Sequence, residues 1–147
     1  MIQRIQTIFL VLAAAGIFGV FALPFVTIPE AIPTSQVYAD ADYDVQDHVM
    51  MLILFVLSGL LTAGAIFLFN NRPLQTKVTL FGLIANILAL VATVALFFNT
   101  SDEVANPDNL NDGFGIYLPV VALIFSFLAM RFIKKDEKLV RSADRLR

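Results

Sequence analysis

The chain has 147 residues, of which 59% are hydrophobic and only 15% charged, and its mean hydropathy is +0.81. Soluble domains run roughly 45–50% apolar with about 25% charged residues, so this composition excludes an ordinary soluble core. There is no cysteine, which excludes disulfides, thiolate metal sites and cysteine nucleophiles.

The first apolar segment, Ile5–Phe25, is long enough to cross a bilayer, which takes about 20 residues at roughly 1.5 Å each. A cleaved signal would need a shorter apolar core and a small-x-small site. "FALPFV" offers large residues there, so the segment is read as a retained span.

The loop Thr27–His48 follows. Its "VYADADYDV" stretch alternates, with Val37, Ala39, Ala41, Tyr43 and Val45 on one face and Tyr38, Asp40, Asp42 and Asp44 on the other. That is strand periodicity, compatible with a small β-hairpin capping the helices. Asp40, Asp42 and Asp44 are weak cation candidates, because alternate oxygen ligands open an EF-hand loop. Val45 stands where that loop needs Gly and Met51 where it needs Glu, so no metal site is expected. His48 is the one histidine, beside Met50 and Met51. It is read as interfacial: a haem wants a second axial ligand, His–Met ligation is rare, and no cofactor is expected.

Span two is Val49–Phe69 and span three Val78–Phe98, joined by the turn Asn70–Lys77 with Pro73 inside it. The loop Asn99–Gly113 carries the turn-rich "NPDNLNDG", with Asn111 or Asp112 available to cap a helix. Span four, Phe114–Ile133, holds Pro119, a candidate kink, and ends in Arg131, which can snorkel. None of the four segments contains Asp or Glu. The predicted fold is a single all-α membrane domain over 1–147, four spans in up-down-up-down order, with a basic tail at 134–147.

Small residues suit close helix packing in lipid: Ala15 with Gly19, Gly59 with Ala63, Ser58 with Thr62, and Ala85 with Ala89. Asn86 is the most polar side chain deep in any span and needs a partner. At 1.5 Å rise per residue, Thr62, Asn86 and Ser126 fall at similar depth. They predict a polar layer packed against Ala13–Gly16, either a structural clasp or a ligand contact.

Charge sets the orientation. Glu30, Asp40, Asp42, Asp44 and Asp47 in the first loop, and Asp102, Glu103, Asp108 and Asp112 in the third, have no Lys or Arg among them. All 10 basic residues lie before span one, between spans two and three, or at and beyond the end of span four. Lys and Arg excess marks the cytoplasmic face, so both termini are expected inside. Arg131, Lys134, Lys135, Lys138, Arg141, Arg145 and Arg147 would meet anionic headgroups or a cytosolic partner, each contributing on the order of 1 kcal/mol at a lipid surface.

"MIQRIQT", "FLFNNRPLQ" and "KKDEKLVRSADRLR" together resemble a family of small four-span membrane proteins of Bacteroidota, numbered 4293 in the domain-of-unknown-function series. The resemblance covers essentially the whole chain and implies a bacterial inner-membrane protein with its first span retained. It supplies no activity or ligand. No nucleophile–base pair, phosphate loop or metal cluster is visible, so an enzyme is not expected, nor is nucleic acid a partner. Two functional readings remain: an accessory or scaffold subunit of a larger membrane assembly, and a lipid or small-hydrophobe binding or transport module with a cavity near Asn86 and Pro119.

Overall fold

The structure, a computed structural model, describes residues 2–35, 37–100 and 110–144. It is mostly helical: α1 (Ile2–Gly19), α2 (Val49–Phe67), α3 (Arg72–Thr100) and α4 (Tyr117–Asp144), with strands β1 (Val26–Thr27), β2 (Asp42–Tyr43) and β3 (Asn111–Asp112). A 3-10 turn, Phe114–Ile116, leads into α4.

The helices pack antiparallel in the cyclic order α1–α2–α3–α4. Phe9 of α1 stacks on Phe132 of α4 at 5.4 Å, while Gly16 lies against Ala122 further back along the same helix. Gly59 of α2 lies against Phe18 of α1. Gly82 of α3 meets Thr62 of α2. These close approaches need a missing or small side chain, because without a hydrophobic drive in lipid it is backbone proximity that makes packing contacts. The α1 seam runs through Ala13 and Gly16; Ala15, paired with Gly19 in the sequence reading, is exposed.

Three helical stretches are long and apolar enough to cross a membrane: Val49–Phe67, Arg72–Thr100 and Phe114–Val140. The first helix departs from the predicted span. It stops at Gly19, and Val20–Pro24 turns toward the sheet, with Phe21 and Ala22 amides bonded back to Phe18 and Gly19. Pro24 explains part of this, since the residue before a proline is pushed out of the helical region. The apolar helix Ile5–Gly19 is therefore only about 22 Å long, short of the roughly 30 Å hydrocarbon layer.

The third helix departs in the other direction, starting at Arg72 rather than Val78. Asn71 precedes it and its Oδ1 accepts from the Leu74 amide at 3.2 Å. Pro73 sits in the first turn, where a missing N–H costs nothing. The fourth helix runs unbroken through much of the basic tail.

At the end where α2 and α4 begin, β1 pairs antiparallel with both β2 and β3. The hairpin expected inside the first loop is thus the larger part of a three-stranded sheet of order β2-β1-β3. Asn111 and Asp112 pair with Thr27 and Val26 instead of capping α4. Gly113 and Gly115 continue this seam, their amides donating to Phe25 and Pro24 carbonyls at 2.9 Å. A Cβ on either glycine would collide with the Leu23–Pro24 backbone. Behind the sheet lies the main apolar cluster, with Phe25, Tyr38, Tyr43, Val45, Met51 and Phe55 fully or almost fully buried.

Candidate functional site

Four polar side chains inside the helix array are fastened to main-chain carbonyls of a neighbouring helix. Ser58 Oγ donates to Gly82 O at 2.9 Å and Gln75 Nε2 to Ala65 O at 2.9 Å, joining α2 to α3. Gln6 Nε2 donates to Phe132 O at 3.2 Å, joining α1 to α4. Asn86 Nδ2 donates to Pro119 O at 3.0 Å, joining α3 to α4.

Thr62, Asn86 and Ser126 are all buried, as a shared layer requires. They do not bond to one another. Asn86 bonds to the Pro119 carbonyl, about two helical turns before Ser126 along α4, and the Thr62 and Ser126 hydroxyls and Asn86 Oδ1 have no hydrogen-bond partner among the described residues. Pro119 lies in the first turn of α4, where its lost N–H needs no acceptor, and α4 is continuous from Tyr117. Its carbonyl serves here as the acceptor for Asn86.

The acidic loop is held by its own carboxylates. Asp40 Oδ1 accepts from the Asp42 amide, Asp44 Oδ1 from the Gln46 amide and Asp47 Oδ2 from the Asp44 amide. The predicted alternation breaks at a turn: Tyr38 is buried beside Val37, and Ala41 takes a φ of 71°. Among the described residues no group of three or more acidic or histidine side chains gathers as a metal site, so Asp40, Asp42 and Asp44 are not brought together on a common centre. Burial pushes the Asp47 carboxyl up to about 6, the Asp44 amide opposing and the negative Asp44 adding to the rise. Asp42 is raised too, by burial first and then by Asp40 and Asp44.

His48 precedes α2 and packs edge-on against the Tyr43 ring at 6.3 Å, with Nε2 buried and without a hydrogen-bond partner among the described residues. Tyr43 itself spans the interface between sheet and helices. Its hydroxyl donates to Thr93 O at 2.9 Å, and its ring meets Phe25 at 6.0 Å and Phe97 at 5.7 Å. Burial leads the rise of the Tyr43 hydroxyl above its ordinary range, so it stays a donor.

Beside Tyr43 the packing leaves a cavity of about 170 Å³ between the sheet and the last turns of α3. Val26, Tyr43 and Asp112, cross-strand neighbours in register, form its roof, and Thr93 and Phe97 its floor. It lies two helical turns from Asn86, about 10 Å along α3. A cavity beside Asn86 and Pro119 is what the sequence suggested.

At the opposite end, Arg72 Nη2 and Asp136 Oδ2 form an ion pair at 3.0 Å, tying the start of α3 to α4. Arg131, Lys134, Lys135 and Lys138 are exposed on α4. Arg145 and Arg147 lie outside the described residues, as does the side chain of Arg141. Sequence reasoning missed the Arg72–Asp136 pair and both glutamine clasps. Arg72, Gln75 and Asp136 flank the apolar runs and Gln6 stands at the very start of the first, where polar residues are ordinary and no periodic signal marks an inward one.

Long apolar helices, inward-turned polar side chains and charges confined to the two ends define a protein compatible with a membrane setting. The chain belongs to the family described as Domain of unknown function (DUF4293), whose model matches residues 2–146. No curated protein and no solved structure matches the chain.

Proposed function

We propose that this is a four-span protein of the bacterial inner membrane, both termini cytoplasmic, serving as a non-catalytic accessory or scaffold subunit of a larger membrane assembly. The observation that carries the reading is how polar and apolar groups are divided. Ser58, Gln75, Asn86 and Gln6 are occupied in clasping helices together, while large apolar side chains such as Ile53, Leu60, Phe81, Val91, Ile124 and Phe127 face outward. Such a surface suits lipid tails and the flank of another membrane protein alike.

Orientation follows from charge. The sheet end carries Glu30, Asp40, Asp42, Asp44, Asp47 and Asp112; the other end carries Arg72, Lys77, Arg131, Lys134, Lys135 and Lys138. Placing the basic end in the cytoplasm obeys the positive-inside rule. α1 packs along both α4 and α2, which supports its lying in the same layer despite its shorter helix. The α4 extension offers exposed cations to anionic headgroups, each contributing about 1 kcal/mol, or to a subunit docked there.

The test is gentle purification of the tagged full-length chain from native membranes, followed by intact-complex mass spectrometry. A stoichiometric second protein, released when Lys134, Lys135 and Lys138 are changed to Glu, is the expected result. A lone chain carrying a defined lipid or small molecule would overturn the accessory role. The cavity beneath the sheet keeps the small-hydrophobe reading in view, at the sheet end rather than at Asn86.

A further inference from the structure

From the cavity beneath the sheet we infer a binding site for a small cationic amphiphile: an apolar group of about benzene size bearing an ammonium that stays at the mouth beside Asp112. This inference does not depend on the accessory role; it concerns the opposite end of the molecule.

Size comes first. Drug-sized ligands occupy roughly 300–1,000 Å³, so a volume of about 170 Å³ cannot hold one, nor a whole lipid tail. A dry apolar cavity of about 150 Å³ does hold benzene. The space therefore suits one ring or a short alkyl end, with the rest of the molecule left outside.

The lining gives the chemistry. Phe25, Tyr43 and Phe97 present aromatic rings, and Ile116 and Val94 complete an apolar wall. The buried polar atoms at the floor are already spent: Tyr43 Oη donates to Thr93 O, and Thr93 Oγ1 donates to Ala89 O. The interior thus asks no hydrogen bond of its occupant. Among the described residues Asp112 is the only charged one in the lining, and it is exposed at the rim.

Charge around the mouth points the same way. The described charged residues of the sheet end, Glu30, Asp40, Asp42, Asp44, Asp47 and Asp112, are all acidic. A cation approaching this face meets a field of one sign, and aromatic rings beside the mouth add a cation–π attraction of about 0.5–1 kcal/mol. An anionic amphiphile of the same shape would be repelled.

The full-length chain, reconstituted in nanodiscs of zwitterionic lipid, should broaden the fluorine NMR signal of 4-fluorobenzylammonium saturably and beyond empty nanodiscs. Two variants assign the effect. Val94→Trp, starting from a side chain already 44% exposed, fills the cavity mouth from outside the packed core and should abolish saturable broadening. Asp112→Asn should weaken 4-fluorobenzylammonium at least threefold and leave 4-fluorobenzyl alcohol unchanged. Broadening that persists in Val94→Trp is partition into lipid and overturns the site. Alcohol binding as tightly as the ammonium, or an Asp112→Asn variant that binds both as before, overturns its cation preference and with it the inference.

Discussion

At the acidic end three chain segments meet in a sheet, and the closure is made largely of backbone: β1 pairs on both edges, and Gly113 and Gly115 extend the seam. At the basic end there are no strands among the described residues; closure is by side chains, Gln6 onto Phe132, Gln75 onto Ala65, and Arg72 onto Asp136. Backbone bonds form whatever the side chains are, provided the chain can approach closely, so the acidic end depends on glycines and on an aromatic cluster behind the strands. The basic end depends on individual polar atoms, each replaceable, each reaching a carbonyl or a charge. One end is built as a small fold of its own; the other is a set of fasteners.

That contrast is sharpened by substitution. Phe25→Ala removes a ring packed on Tyr43 and Phe55 and should destabilise the protein by roughly 3–5 kcal/mol, the usual cost of a buried Phe→Ala change. Thermal unfolding in detergent followed by circular dichroism reads the loss. Should it equal the cost of removing a single clasp, the sheet end would not be the more cooperative of the two. At the basic end, Arg72→Ala strands the buried Asp136 carboxylate and should cost about 1–3 kcal/mol. Adding Asp136→Leu should return part of that loss, because the penalty lies in the unpaired charge more than in the missing attraction.

Asn86→Leu tests a fastener deeper in the array, and a loss of about 0.6–1.7 kcal/mol is expected from one interhelical hydrogen bond in lipid. The Pro119 carbonyl, also available to its own helix, limits the damage. Smallest is the pH response of the acidic loop. Burial raises the folded Asp47 carboxyl to about 6, above its unfolded value near 3.9, so its contribution is fully present below about pH 4 and lost as pH rises through 6. Water still reaches the group, so screening holds the change to about 1 kcal/mol or less. Asp47→Asn should flatten the stability profile between pH 4 and 6 while keeping an acceptor for the Asp44 amide.

Much of the helical part was legible because its signal is length and apolarity, which survive errors of a few residues at each end. α3 contains the third predicted segment whole, α2 ends at Phe67 inside the second, and α4 takes up the fourth at Tyr117 after the 3-10 turn. The boundaries were less legible: apolarity continues past Gly19 to Phe25 although the helix does not, since Val20, Phe25 and Val26 bury themselves behind a sheet instead of in a helix. The strand alternation of "VYADADYDV" foretold β2 and missed β3, because a partner supplied by a distant loop leaves no local period. That Thr62, Asn86 and Ser126 turn inward was readable from their polarity within apolar helices. Their bonding was not: Asn86 chose a main-chain carbonyl, and every main-chain carbonyl is invisible as a choice in sequence.

The acidic sheet end and the basic end are proposed to lie on opposite sides of a membrane. Because the natural chain has no cysteine, single cysteines at Gln3, Asp42, Asn71, Asp112 and Lys138 each report alone. Intact cells, their outer membrane permeabilised and inner membrane sealed, should let an impermeant maleimide label positions 42 and 112, with 3, 71 and 138 labelled only after the inner membrane is opened. Labelling of position 3 together with 42 and 112 would show that α1 does not cross, and labelling of 71 or 138 in sealed cells would contradict the orientation itself.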